Sequence, residues 1–413
     1  MIKYINRLIL TAAAALLSAG IGTASAQTKT LTYLSWGNSH FEEMIKERFA
    51  EFERLHPDVK MEWVDVKGPD WPGYYQTQVI AGMAPDIIQI QGSLWVDYAA
   101  QGGLVDLTPY FERDNLLERY EPGVMETYKY QEKYYLVPYG MYKTMLFYNK
   151  NHFAEVGIEG PPTNFTELMD DASKLAVNGR AGYVGLNFDW MYWPLFASEG
   201  VELLNEDGTK AAFNTPQAGA VLKTLTEKTE SGAIHKAAWT GRFFEIIDPF
   251  VEGNVSMLYG HSPVFLWMEG KTWINDDTLG MVNFPSGMAT PDNHGFAISK
   301  SSKYPDLAWE FIKLTTNDQF ADTYVRTGKM LSGNVAANKK MLDEFESESP
   351  MLARMLRLQE KDWDNLAGVW PNPKDGQVKE AVFAEVQNAV LGRKSAEEAL
   401  ADAESKVNEI LAR

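Results

Sequence analysis

The sequence predicts an α/β protein of two domains, and three observations predict it. Short apolar runs alternate with longer amphipathic ones, the pattern of strand and helix units around a mostly parallel sheet. The chain has 413 residues, 45% of them apolar and 12% aromatic, enough for two sizeable cores. At residues 134–148 the alternation lapses, because extended residues run on with no helix between them. Such a passage suits a crossing between domains.

The elements follow in order. Residues 31–35 read as a first strand; residues 41–56 carry apolar side chains at helical spacing (Phe41, Met44, Ile45, Phe49, Phe52, Leu55) and stop at Pro57. Residues 59–66 alternate as a second strand, 74–83 form a helix and 86–90 a buried strand. A short helix at 94–101 is closed by Gly102 and Gly103. After the crossing, Asn164 caps a helix running to Val177, residues 182–186 are strand-like and 216–231 helical. A strand at 255–259 ends at Gly260-His261-Ser262-Pro263. Residues 295–299 form a strand, 304–316 a helix, and 377–391 and 395–412 two closing helices.

Composition narrows the function classes. There are 38 Lys and Arg against 56 Asp and Glu, a net charge of −18, which argues against nucleic acid or anionic membrane as the main partner. With no cysteine, disulfide scaffolds, Cys-ligated zinc or iron–sulfur sites, thiol catalysis and a lipidated cysteine are excluded. The first 26 residues read as a secretory signal peptide: Lys3 and Arg7, an apolar stretch at 8–17, then Ala24-Ser25-Ala26. Cleavage there leaves 387 residues (413 − 26) and a net charge of −20 (36 − 56). No later stretch approaches the roughly 18 to 20 apolar residues of a membrane span. The expectation is a soluble periplasmic protein.

Five stretches, in order, carry a resemblance: PDIIQIQGSLWVDYAAQGGLVDL at 85–107, VPYGMYKTMLFYNK at 137–150 with PPTNFTEL after it, MYWPLFASEG at 191–200, GFAISKSSKYPDLAWEFIKLTT at 295–316 and GRKSAEEALADAESKVNEI at 392–410. The chain thereby resembles the extracellular solute-binding proteins of ABC importers, in the carbohydrate-binding group that includes maltose-binding protein. The resemblance implies a two-lobed periplasmic-binding-protein fold, type II-like, with three crossings and the ligand between the lobes. It implies lobe I at 27–138 plus 295–332, and lobe II at 139–294 plus 333–413. It also implies a carbohydrate ligand, mono- or oligosaccharide, and membrane permease subunits with a cytoplasmic ATPase as partners. A monomer with no membrane anchor, cofactor or metal is expected.

In open α/β sheets ligands sit at the carboxyl ends of strands, so the loops after strands hold the candidate site. A sugar offers apolar C–H faces rimmed by hydroxyls and calls for aromatic platforms beside hydrogen-bonding groups. Trp36 and Asn38 follow the first strand, Gln91 and Ser93 the third, and His261 the strand at 255–259. Gln91 and Ser93 align without gaps to sugar-contacting positions of maltose-binding protein; Ser93 stands where that relative has an aspartate. The aromatic run at 189–194 supplies Trp190, which falls where that relative presents a stacking tyrosine, and Trp193. Tyr139 and Lys143 lie at the crossing, where hinge and contact roles compete. Trp239, Arg242 and Phe243 sit in a stretch of little periodicity that reads as a loop over the cleft. Gly295 could let backbone approach the ligand, and Arg326 could reach the cleft. Trp267 and Trp273 read as packing residues.

A glycoside hydrolase is the rival class, needing two carboxyl groups about 5 to 10 Å apart. Asp70, Asp86, Asp189, Glu245 and Asp248 supply acids but no marked pair. The six histidines, at 40, 56, 152, 235, 261 and 294, have no metal-ligand spacing, and neither a nucleophile elbow nor a phosphate loop is present. No catalytic residue is assigned. A receptor for peptides, polyamines or sugar acids shares the architecture; Lys143, Arg242 and Arg326 keep an acidic ligand open.

Overall fold

The computed structural model describes residues 28–413 except Ser93, Asp189, Glu269, Asp292 and Asn293, and except the side chain of Pro69. The expected leader, at 1–26, lies outside the described residues.

Twelve strands are described: β1 (Lys29–Trp36), β2 (Val59–Val66), β3 (Ile87–Gln91), β4 (Lys129–Tyr130), β5 (Lys133–Tyr134), β6 (Val137–Met141), β7 (Thr144–Asn149), β8 (Ala181–Gly185), β9 (Val255–His261), β10 (Leu279–Asn283), β11 (His294–Ile298) and β12 (Leu331–Ser332). They make a six-stranded sheet in the order β12-β6-β11-β3-β1-β2, a four-stranded sheet β10-β7-β9-β8, and the hairpin β4-β5. Two sheets with one chain passing between them are the basis of two lobes.

The sheets are mixed, which corrects the expectation of a mostly parallel one. β1 runs parallel to β2 and β3, because helices carry the chain back over the sheet between them. β11 lies antiparallel between β3 and β6, and β12 antiparallel to β6. In the second sheet β8 and β9 are parallel, while β7 is antiparallel to β9 and β10. β7 and β11 run against their neighbours because each is reached by passing directly between the sheets, with no crossover helix to impose parallel pairing, while β12 follows β11 through two helices. β6 stays in the first sheet as far as Met141, and β7 opens in the second at Thr144.

Apart from the edge strand β2, which alternates buried and exposed residues, the strands of each sheet are largely buried on both faces, and the period of two decides which side chain faces which layer. Leu31, Tyr33, Ile87 and Phe296 face the helices Glu42–Leu55 and Pro305–Leu314, packing with Phe52, Trp309 and Phe311. Leu34, Ile88 and Ile90 face the other way, onto Trp71 and Tyr75 of the helix Trp71–Ile80 and Trp95 of Leu94–Ala100. The second sheet is covered by the helices Phe165–Leu175 and Phe243–Val251, and an outer layer of Asp375–Val390 and Ala396–Ala412 packs on Pro216–Glu230.

Local signals explain the helix starts. The Asn164 side chain accepts the Glu167 N–H at 2.9 Å. Ser395 and Glu398 form a reciprocal capping box at the last helix, with both bonds at 3.1 Å. The stretch read as a loop at 239–243 is helical: Trp239 belongs to Ala237–Thr240 and Phe243 opens Phe243–Val251. Each of those helices is too short for the 3.6-residue period to emerge from the sequence.

Candidate functional site

A cavity of about 520 Å³ opens where the two sheets meet, within the range of small-molecule sites. The first sheet contributes Trp36 at the end of β1 with Gly37 and Asn38 after it, Gln89 and Gln91 from β3, Tyr139 from β6 and His294 from β11. The other side contributes Phe188, Phe243, His261, Pro263, Leu266 and Trp267. Tyr142, between β6 and β7, lines it as well.

The first wall is set by backbone geometry and one buried amide. Gly37 turns the chain after β1 at φ +61°, a conformation glycine adopts without strain. Trp36 packs on Trp71, ring centroids 5.3 Å apart, and leans over Gly68, where any Cβ would stand 2.6 Å from its indole nitrogen. Asn38 precedes a short 3₁₀ turn but makes no side-chain cap. Its amide donates instead to Gln89 Oε1, while its backbone N–H donates to Asp65 at 2.8 Å. Gln89 Oε1 also accepts the Tyr33 hydroxyl at 3.1 Å. With that oxygen facing donors, Gln89 Nε2 donates to His294 Nδ1 at 3.1 Å, which leaves the ring proton of His294 on Nε2.

The second wall is aromatic. His261, at the carboxyl end of β9, has Phe188 and Phe243 edge-on at 6.1 and 5.8 Å. Trp267 meets Phe243 edge-on at 4.8 Å and is 37% exposed. Tyr142 joins the walls, its ring 6.1 Å from His261 and 5.8 Å from His294. Burial holds both imidazoles far below the ordinary histidine range, down to about 3, so both are neutral near pH 7. The arrangement offers flat rings on both sides and neutral donors and acceptors along the floor.

Residues 38–321, more than half the chain, match the family model described as bacterial extracellular solute-binding protein. The chain belongs to that family. Among curated relatives this solute-binding protein is similar to the diacetylchitobiose binding protein DasA of Streptomyces coelicolor, 24% identical over 300 residues and 68% of each chain. It is also similar to the sn-glycerol-3-phosphate-binding periplasmic protein UgpB of Brucella abortus, 25% identical over 282 residues and 62% of each. Its fold is the two-lobed one of the ABC substrate-binding protein Lmo0181 from Listeria monocytogenes, solved in complex with cycloalternan. That comparison gives a TM-score of 0.80 at 22% identity, covering 93% of this chain and 99% of that one.

Of the residues singled out from sequence, this solute-binding protein brings Trp36, Asn38, Gln91, Tyr139 and His261 to one cavity, with Phe243 beside them. Ser93 lies outside the described residues. Seven others sit elsewhere, each for a physical reason. Lys143 is fully buried, its N–H on Gln359 Oε1 at 2.8 Å and its ammonium 5.1 Å from the Trp363 ring centre. Trp190 is 1% exposed, packed edge-on against Trp193 and Trp370 at 5.3 and 5.2 Å, with its indole N–H on Asp375. Trp193 stacks on Phe196, and Trp239 donates to Thr229 at 2.9 Å. Gly295 lies inside the sheet, where an added Cβ would meet Leu136 at 2.9 Å; strand packing is what excludes a side chain there. Arg326 is held by Asp322, Glu344 and Glu348. Arg242, by its exposed helix start, does not line the cavity either.

Two of the acids weighed for hydrolysis, Asp86 and Glu245, have structural partners. Asp86 accepts the Thr32 N–H and hydroxyl, both at 2.9 Å, and the Ser302 hydroxyl at 2.6 Å. Glu245 accepts the Arg242 N–H at 2.8 Å. Asp189 lies outside the described residues. Among the described residues no cluster of three or more His, Cys, Asp or Glu could hold a metal, and no helix is long and apolar enough to cross a membrane.

Sequence reading missed Gln89, Tyr142, Phe188, Trp267 and His294. Gln89 had a signal: a polar residue in the middle of the apolar strand IIQIQ must have a buried partner. Tyr142 and His294 gave none, since their importance comes from the meeting of two sheets.

Proposed function

We propose that this protein is the receptor of an ABC importer for a carbohydrate. It captures a mono- or oligosaccharide between two lobes and presents it to membrane permease subunits driven by a cytoplasmic ATPase. One observation carries the reading: a single cavity of about 520 Å³ is shared by both sheets, with Trp36 on one side and Phe188, Phe243 and Trp267 on the other, over Asn38, Gln91, His261 and His294. Aromatic rings cover the C–H faces of a pyranose, and neutral amides and imidazoles serve its hydroxyls. The name of the Streptomyces relative and the cycloalternan bound to the Listeria neighbour support a saccharide.

Binding proceeds by hinge closure. A ligand that touches both walls binds the closed state better than the open one, and shifts the population by that difference. The lobes are taken as 27–138 plus 295–332 and 139–294 plus 333–413, with the end of β6 to Met141 and His294 at the start of β11 going with the sheet of the first. The protein works as a non-catalytic periplasmic monomer, freed from the membrane when its leader is cleaved. The test is a thermal-shift and calorimetric screen against mono-, di- and oligosaccharides, amino acids, peptides and polyamines. Stabilisation by a saccharide is the expected result. Stabilisation by peptides or polyamines alone overturns the reading, and turnover of a glycoside overturns the receptor role.

A further inference from the structure

The histidines, amides and rings of the cavity also bear on the charge of the ligand, a question left open by relatives whose names include both a chitobiose derivative and a glycerol phosphate. We infer that the cleft selects an uncharged saccharide and rejects the matching sugar acid or sugar phosphate; this rests on the saccharide reading above. Among the described residues no lysine or arginine lines the cavity. Every lysine and arginine from residue 28 onward is described, so no cation of that stretch is hidden among the undescribed positions.

Of the three cations that could have served an anion, Arg242 is exposed at a helix start and does not line the cavity, and the other two are committed elsewhere. Lys143, two residues from the Met141 end of β6, is sealed against Trp363 and Gln359. The Arg326 guanidinium is surrounded by Asp322, Glu344 and Glu348. A helix start could replace a cation, since its free N–H groups attract negative charge. The nine-residue helix Phe243–Val251 begins beside the cavity, with Phe243 in its wall, but the Glu245 carboxylate already occupies that start, 2.8 Å from the Arg242 nitrogen. A second anion there meets repulsion instead of attraction.

Two further terms act in the same direction. His261 and His294 stand in the cavity as neutral rings because burial disfavours their charged forms. The whole chain carries a net charge of −18, which repels an approaching anion at low salt. A carboxylate or phosphate entering this cleft gives up its water without a compensating cation, and that desolvation cost is borne by the acidic ligand alone. The neutral sugar of the same shape avoids it.

The test is calorimetric titration of the purified protein with matched pairs: glucose against glucuronate and glucose 6-phosphate, and galactose against galacturonate, after a first pass that also includes maltose and cellobiose. The expected result is binding of at least one neutral sugar, with its acidic counterpart weaker by roughly 100-fold or more. In the Gln91→Arg variant, which sets a cation in the cleft wall, that ratio should shrink by roughly 10-fold. An acidic sugar that binds as tightly as its neutral partner overturns the inference while leaving the saccharide reading intact. Failure of every sugar, neutral and acidic, overturns the saccharide reading itself. Because the unaltered protein alone decides between these outcomes, the conclusion does not depend on the variant folding.

Discussion

At the residue scale, a tryptophan that the sequence offers as a ligand platform has structural work instead. Trp190 was the aromatic favoured for stacking on ligand, yet it is sealed among Trp193, Trp370 and Tyr192, with a backbone φ of +63° that a bulky residue adopts only when its surroundings impose it. Trp190→Ala should therefore lower stability by about 3 to 5 kcal/mol, read by urea denaturation, and leave the affinity of the folded fraction unchanged. A loss of affinity without loss of stability would return Trp190 to the cleft. His261 and His294 make a second prediction. Their folded-state values near 3 lie below the ordinary 6.5, so between those limits the unfolded chain binds protons that the folded one does not. Stability then rises with pH from about 3 to 6.5 and is lost on acidification through that window. Replacing both by Gln should remove up to about 5 kcal/mol of the stability difference between pH 6.5 and 4.5, at about 1.4 kcal/mol per proton per pH unit. Parallel pH curves for variant and parent contradict it. None of this was legible beforehand: the sequence showed a tryptophan beside Trp-Pro and two isolated histidines, and burial is a property of the assembled core.

At the scale of elements, the closing helices Asp375–Val390 and Ala396–Ala412 are pinned by Glu385. Burial would raise its pKa, but hydrogen bonds from Lys394 at 2.6 Å and Lys406 at 2.5 Å bring it down to about 2. The contribution is full above the ordinary 4.5 and fades as pH falls toward 2. Glu385→Gln should cost about 1 to 3 kcal/mol at pH 7 and less at pH 3, measured by thermal melts. An equal cost at both pH values would mean the charge is not what pins the helices. Elements of this kind were largely legible, because caps and periodicity are local: β2 occupies the range its alternation foretold, and Asn164 and Ser395 begin helices as their residue types require. The hairpin β4-β5 and the short helices Ala237–Thr240 and Phe243–Val251 were not, each being too brief to show a period.

At the scale of the whole molecule, the lapse of alternation at 134–148 did mark a passage between sheets, since β6 ends in one at Met141 and β7 begins in the other at Thr144. What the sequence could not convey is that Trp36 and Trp267, 231 positions apart (267 − 36), line the same cavity. The central claim is that a saccharide is held by both walls at once. Calorimetric titration of the best-binding neutral sugar into the unaltered protein, Trp36→Ala and Trp267→Ala tests it most directly. The account predicts that each substitution alone weakens binding by about 1 to 3 kcal/mol, with little change in the melting temperature for the half-exposed Trp267. Full affinity retained in either variant would contradict it, because the ligand would then rest on one wall only.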